Sequence, residues 1–103
     1  MISGSTLAMT TTELAELQRI LKRFVPDYKV WAFGSRVIGT HKPYSDLDIA
    51  LVGDEPISIE TRAALTEALS ESALPYKVDI VDWASTSEAF QHIIDKQKLV
   101  IQL

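Results

Sequence analysis

Four consecutive apolar residues, Val30-Trp31-Ala32-Phe33, run directly into Gly34. Strand side chains alternate between two faces, so Val30 and Ala32 line one face and Trp31 and Phe33 the other. A strand that is apolar on both sides must be covered on both sides. That places residues 28–33 inside a sheet, not at its edge, and requires helices on each face. The chain has 103 residues, 47% of them apolar, enough for one hydrophobic core with little left for a second. The expected fold class is α/β, a small sheet flanked by helices.

The rest of the pattern fits that frame. Thr10 and Glu13 have capping-box spacing, with Met9 and Leu14 at the staple positions. Leu14, Leu17, Leu21 and Phe24 follow at helical spacing, and Pro26 stops the helix. Gly34, Gly39 and Pro43 break residues 34–43 into a turn with room for one helical turn. Residues 47–52 predict a second strand. Residues 58–73 predict a helix with Leu65, Ala68, Leu69 and Ser72 on one side, ended by Pro75. Residues 76–81 predict a third strand. Ser85 and Glu88 have capping-box spacing for a last helix with the face Phe90, Ile93, Ile94 and Gln97. Residues 99–103 fit either a short strand or a fraying tail. The expected organisation is a flexible leader, 1–9, and a single domain, 10–103.

Composition excludes some function classes. A net charge of −4 argues against broad binding to a nucleic-acid backbone, which needs clustered Lys and Arg. No apolar run approaches the roughly 20 residues that span a bilayer. Residues 1–9 lack the charged start and apolar stretch of a signal peptide. The absence of cysteine removes disulfides and thiolate metal sites and fits a cytoplasmic location.

The chemistry concentrates in residues 34–49. Asp46 and Asp48 are two apart in an extended segment and point the same way, while Leu47 and Ile49 point into the core. Neighbouring carboxylates raise each other's pKa. A divalent cation relieves that repulsion, and hard oxygen ligands suit Mg²⁺; a solvated strand end also accounts for the pair. Gly34-Ser35 follows a strand and lets the backbone turn sharply beneath a ligand. N–H groups of a helical turn starting there would face a phosphate, with the Ser35 hydroxyl and Arg36 charge beside them; an ordinary strand-to-helix turn needs the same glycine. Asp79 interrupts an apolar strand, so a metal, a cation or an exposed strand end must offset its burial. Asp82 falls in the opposite phase. His41, Lys42 and His92 fit solvated surface, Trp31 and Trp83 fit core or interface, and Lys77 fits a charge neighbour of Asp79.

Gly34-Ser35, ten residues, then Asp46-Leu47-Asp48 resembles the signature of the DNA polymerase beta-type nucleotidyltransferases. The string from Gly34-Ser35-Arg36 through Gly39 to Ser45-Asp46-Leu47-Asp48-Ile49 most resembles their minimal (MNT) branch, including antitoxins of HEPN/MNT toxin–antitoxin pairs. The resemblance implies a small mixed sheet flanked by helices. It implies Asp46, Asp48 and Asp79 as catalytic metal ligands for two Mg²⁺ ions. Gly34, Ser35, Arg36 and Ser45 would bind the nucleotide. The implied reaction is transfer of AMP from ATP to a protein hydroxyl, with a tyrosine of a helical HEPN ribonuclease toxin as acceptor. A domain this small needs a partner to complete the acceptor side. Two other readings compete: a small-molecule nucleotidyltransferase with a separate substrate-binding subunit, and a nonenzymatic module that masks its partner by contact.

Overall fold

The computed structural model describes residues 7–103; the expected leader at residues 1–6 lies outside them. Four helices and four strands follow in the order α1 (Thr11–Phe24), β1 (Lys29–Phe33), α2 (Ser35–Ile38), β2 (Leu47–Val52), α3 (Ile59–Ser70), β3 (Val78–Asp82), α4 (Glu88–Gln97) and β4 (Leu99–Gln102). The sheet order is β3-β2-β1-β4. β1 is antiparallel to β2 and to β4, whereas β2 and β3 run parallel. The sheet is therefore mixed, and the doubly apolar β1 is internal, as its sequence demands.

The two faces are covered unequally. Val30, Ala32, Leu47, Ile49 and Leu51 pack with Leu17, Ile20 and Leu21 of α1 and Leu65 and Leu69 of α3 in the larger core. On the opposite face Phe33 and Ala50 pack with Ile94 of α4, bordered by Trp31, Val52, Val81 and Trp83. Trp31 and Trp83 meet edge to face at 5.1 Å, which makes them part of this smaller core. Ile94 is fully buried while Phe90 and Ile93 stay partly exposed. Burying Ile94 contributes roughly 1.5–3 kcal/mol to holding α4, and Phe90 packs edge to face on Phe33 at 5.7 Å beside it.

Local signals explain most helix ends. The Thr10–Glu13 capping box forms in full, a contribution of about 1 kcal/mol. Ser58 caps α3 through the Thr61 N–H. α3 ends at Ser70, three residues before the expected stop: the Ser72 hydroxyl donates to the Leu69 carbonyl at 2.6 Å and accepts from the Leu74 N–H, so it closes the helix from outside it. The last helix is capped by Ser87, not Ser85, with the Phe90 N–H donating to Ser87 Oγ at 3.2 Å. Ser85 instead ends a short 3-10 turn, Trp83–Ser85. The leader boundary also moves. Leu7 is buried in the larger core, and the Ala8 N–H donates to the Arg36 carbonyl at 2.9 Å, so residues 7–9 are docked on the domain. Residues 99–102 form a strand, held by Gln102 donating to the Val25 and Tyr28 carbonyls and Gln18 donating to that of Ile101.

Strand direction decides where the chemistry gathers. Because β1 is antiparallel to β2, the end of β1 lies beside the start of β2; because β3 is parallel to β2, its start lies there too. Phe33 is in register with Asp48, and Asp48 with Asp79.

Candidate active site

Asp48 stands at the centre of this sheet end. It shares the face of Phe33 and Ala50, opposite the buried Leu47 and Ile49. Asp79 is its direct neighbour across the parallel pair, and Asp46 precedes it by two residues in the same phase. Burial, first, and then the negative charges of Asp79 and Asp46 push the Asp48 carboxyl above its usual range. Lys77 partly offsets the cluster, with Nζ 3.6 Å from Asp79 Oδ1, though both groups are substantially exposed. Lys77 is thus the expected charge neighbour.

Asp82 takes no part. Its carboxylate accepts from Arg62 at 2.5 Å and from the Ile57 N–H at 3.2 Å. These contacts tie β3 to α3 on the far side of the sheet.

Gly34 closes the other side of the site. Its φ of 85° and ψ of −161° belong to a region essentially reserved for glycine. A Cβ built there would run into the Asp48 carboxylate. The neighbour that already requires a bare Cα here is Asp48. The Gly34 carbonyl accepts from the Val37 and Ile38 N–H groups at 2.9 and 3.0 Å, leaving those of Ser35 and Arg36 without a carbonyl of the same turn. The Gly34 N–H itself donates to Gln97 Oε1 at 2.9 Å. Gln97 was legible only as a helix-face residue, since nothing local reveals a contact 63 positions away.

Arg36 does not lie where its position after Gly34-Ser35 suggests. The side chain is buried at 5% exposure. Its guanidinium donates to the carbonyls of Ser45 at 2.8 Å, Ala8 at 2.9 Å and Pro43 at 2.8 Å. Its plane covers the Tyr76 ring at 3.9 Å. With its donors committed to backbone, the side chain is a scaffold for the loop and not a free phosphate ligand. Ser45 is built into the same loop: its Oγ accepts from the Lys42 N–H at 2.8 Å. His41, Lys42 and His92 are exposed.

Among the described residues no group of three acidic, His or Cys side chains is closed enough to form a metal cage by itself. Asp46, Asp48 and Asp79 supply only hard carboxylate oxygens. Mg²⁺ is commonly held by one or two carboxylates with substrate phosphates and water completing the shell, so the donor set fits that ion.

The protein family described as polymerase beta, nucleotidyltransferase, matches residues 15–102. The chain is 53% identical over 102 residues to a probable protein adenylyltransferase MntA of Haemophilus influenzae, covering 99% of this chain and 90% of that protein. A toxin–antitoxin structure with AMP-PNP superposes with a TM-score of 0.73 at 28% identity, covering 85% of this chain and 71% of the other. A complex of a tri-AMPylated Shewanella oneidensis HEPN toxin with its MNT antitoxin gives a TM-score of 0.67 at 24% identity, over 90% and 71% of the two chains. At that last identity the likeness is one of fold. The match over nearly the whole chain, on a mixed sheet whose strand ends gather Gly34, Asp48 and Asp79, establishes that the chain belongs to the polymerase beta nucleotidyltransferase family.

Proposed function

We propose that this protein is an antitoxin that transfers AMP from ATP to a hydroxyl of a partner protein, a tyrosine of a HEPN ribonuclease. The observation that carries the reading is the register of Asp48 against Asp79, with Asp46 in phase, beside Gly34. A sheet gains nothing in stability from like charges on neighbouring strands. Masking a partner by contact does not require them either. The 53% identity to a probable protein adenylyltransferase and the likeness to a toxin–antitoxin structure with AMP-PNP favour a protein acceptor.

In this reading Asp46, Asp48 and Asp79 would hold the cations. Bound Mg²⁺ would neutralise the triphosphate and the charge that builds up during transfer. The Ser35 and Arg36 N–H groups and the Ser35 and Ser45 hydroxyls receive phosphate oxygens. The acceptor oxygen forms a bond to the α-phosphorus as the bond to pyrophosphate breaks. Asp79, at the open sheet edge, would take the proton of the incoming hydroxyl. The acceptor must reach an open face, which suits a side chain presented by another protein. An added AMP brings negative phosphate next to a surface that binds anionic RNA, so repulsion and blockage both inhibit the toxin.

Co-expression with the partner, read by intact mass and by RNA cleavage, tests the proposal. The partner should gain the mass of one or more AMP groups and lose ribonuclease activity. With the Asp46→Asn, Asp48→Asn double variant it should stay unmodified and active. A partner silenced equally by that variant, with no gain in mass, would establish contact masking in place of transfer.

A further inference from the structure

We propose that Arg36 is a positioning residue that sets the placement of Asp46 relative to Asp79; the inference rests on the reading of these aspartates as cation ligands. A buried guanidinium is costly unless every donor is satisfied. Among the described residues no ion pair includes Arg36. Its charge is met instead by backbone carbonyls and an aromatic face. Two of these carbonyls, Pro43 and Ser45, accept at 2.8 Å, and a third, Lys42, lies at 3.5 Å. All three belong to the loop that leads into β2. The Ser45 carbonyl is half of the peptide that carries the Asp46 N–H, so holding it fixes the plane from which Asp46 departs.

The other side of the guanidinium covers Tyr76, three residues before Asp79. The Tyr76 hydroxyl donates to Glu13 Oε1 at 3.2 Å, and Glu13 is held in the α1 capping box. One planar group therefore touches the segments entering β2 and β3, and α1 backs the second of them. The Leu47 N–H donates to the Lys77 carbonyl at 2.9 Å, which locks the same two segments where the strands begin. A lysine carries the charge but not the fork, and cannot hold several carbonyls in a plane while stacking on a ring. Loosening this clamp should weaken the cation site more than the fold.

The test uses Mn²⁺ alone as the probe, titrated into the full chain and followed by the electron paramagnetic resonance of the free ion. Thermal unfolding of each variant is recorded in parallel. Wild type and the variants Arg36→Lys, Tyr76→Leu and Asp48→Asn are compared. Arg36→Lys should remain folded and bind Mn²⁺ at least tenfold more weakly. Tyr76→Leu, which removes the stacking face and keeps the fork, should shift affinity in the same direction by less. It also serves as the deciding variant if Arg36→Lys does not fold. In amide NMR spectra the Asp46 N–H should move in both folded variants, while residues along α4 stay in place. Unchanged Mn²⁺ affinity in a folded Arg36 or Tyr76 variant, with Asp48→Asn weakening it, would overturn the positioning role alone. Mn²⁺ binding indifferent to Asp48→Asn would instead overturn the cation site on which it rests.

Discussion

Replacing Asp48 by Asn should stabilise the metal-free protein while abolishing transfer. The carboxylate is partly buried and faces two others, Asp79 directly across the parallel pair and Asp46 two residues earlier. Like charges directly opposite on neighbouring strands cost roughly 0.2–1 kcal/mol. Relief of that one contact, with a smaller gain from Asp46 along the same segment, should therefore amount to about 0.5–1.5 kcal/mol, allowing for the screening of exposed Asp79 by solvent and Lys77. For a domain of about 100 residues this corresponds to a melting temperature higher by roughly 2–10 °C. The pH dependence gives the sign. Burial and the two neighbours push the Asp48 carboxyl above its ordinary range, so the folded state favours the protonated form. The associated stability is present below the ordinary aspartate range and is lost as pH rises through the raised value. The gap between variant and wild type should be small in acid and should open as pH rises toward neutrality. Calorimetric melting in a chelator, across that range, measures it. Added Mg²⁺ should narrow the gap by stabilising wild type. A variant that melts at or below the wild-type temperature at neutral pH, without metal, would refute the claim that these carboxylates repel one another in the fold.

The other predictions separate structural from chemical roles. Gly34→Ala should lose about 2–4 kcal/mol in urea unfolding, from a glycine-only backbone region and the contact with Asp48; an unchanged midpoint would show that the turn can relax. Ser87→Ala should cost about 1 kcal/mol and Ser85→Ala less than about 0.5, and the reverse order would restore the cap to Ser85. Asp79→Asn should lower AMP transfer by at least roughly a hundredfold and raise the melting temperature of the metal-free protein by less than Asp48→Asn does, since it relieves one of the two repulsions on Asp48 and gives up the Lys77 contact. Asp82→Ala, which strips Arg62 and the Ile57 N–H of their acceptor, should cost about 1–3 kcal/mol and leave transfer largely intact.

What could be read beforehand follows the range of the interactions involved. The Thr10–Glu13 box and the apolar spacing of α1 are local and appear as expected. The interior place of β1 follows from an apolar pattern on both its faces. Ser85 and Ser87 lie two apart in a Ser-Thr-Ser run, and Glu88 at the right spacing from Ser85 favours the wrong one; Trp83, held in the smaller core, keeps Ser85 in its own short turn. A charge after Gly-Ser points to a phosphate, whereas the burial of Arg36 by Tyr76 and by carbonyls from two places in the chain, Ala8 and residues 43–45, is a tertiary fact. Leu7 and Gln97 were hidden for the same reason, since each meets its partner far along the chain.

The remaining step is topological. Asp46-Leu47-Asp48 and Asp79 meet because β2 and β3 are parallel, and a parallel pair requires a crossover, which α3 supplies. Had β3 returned from β2 by a hairpin, Asp79 would stand nearer the opposite end of the sheet, and Asp48 would have no carboxylate beside it. The antiparallel step from β1 to β2 does the complementary work, bringing Gly34, at the end of one strand, against Asp48, at the start of the next. A sheet wholly of either kind would divide these residues between its two ends. β4, antiparallel to β1, begins at the same end, so the helix before it delivers Gln97 to the Gly34 N–H. The mixed pattern is thus what brings the Gly34 turn and the three carboxylates to one end of a single sheet.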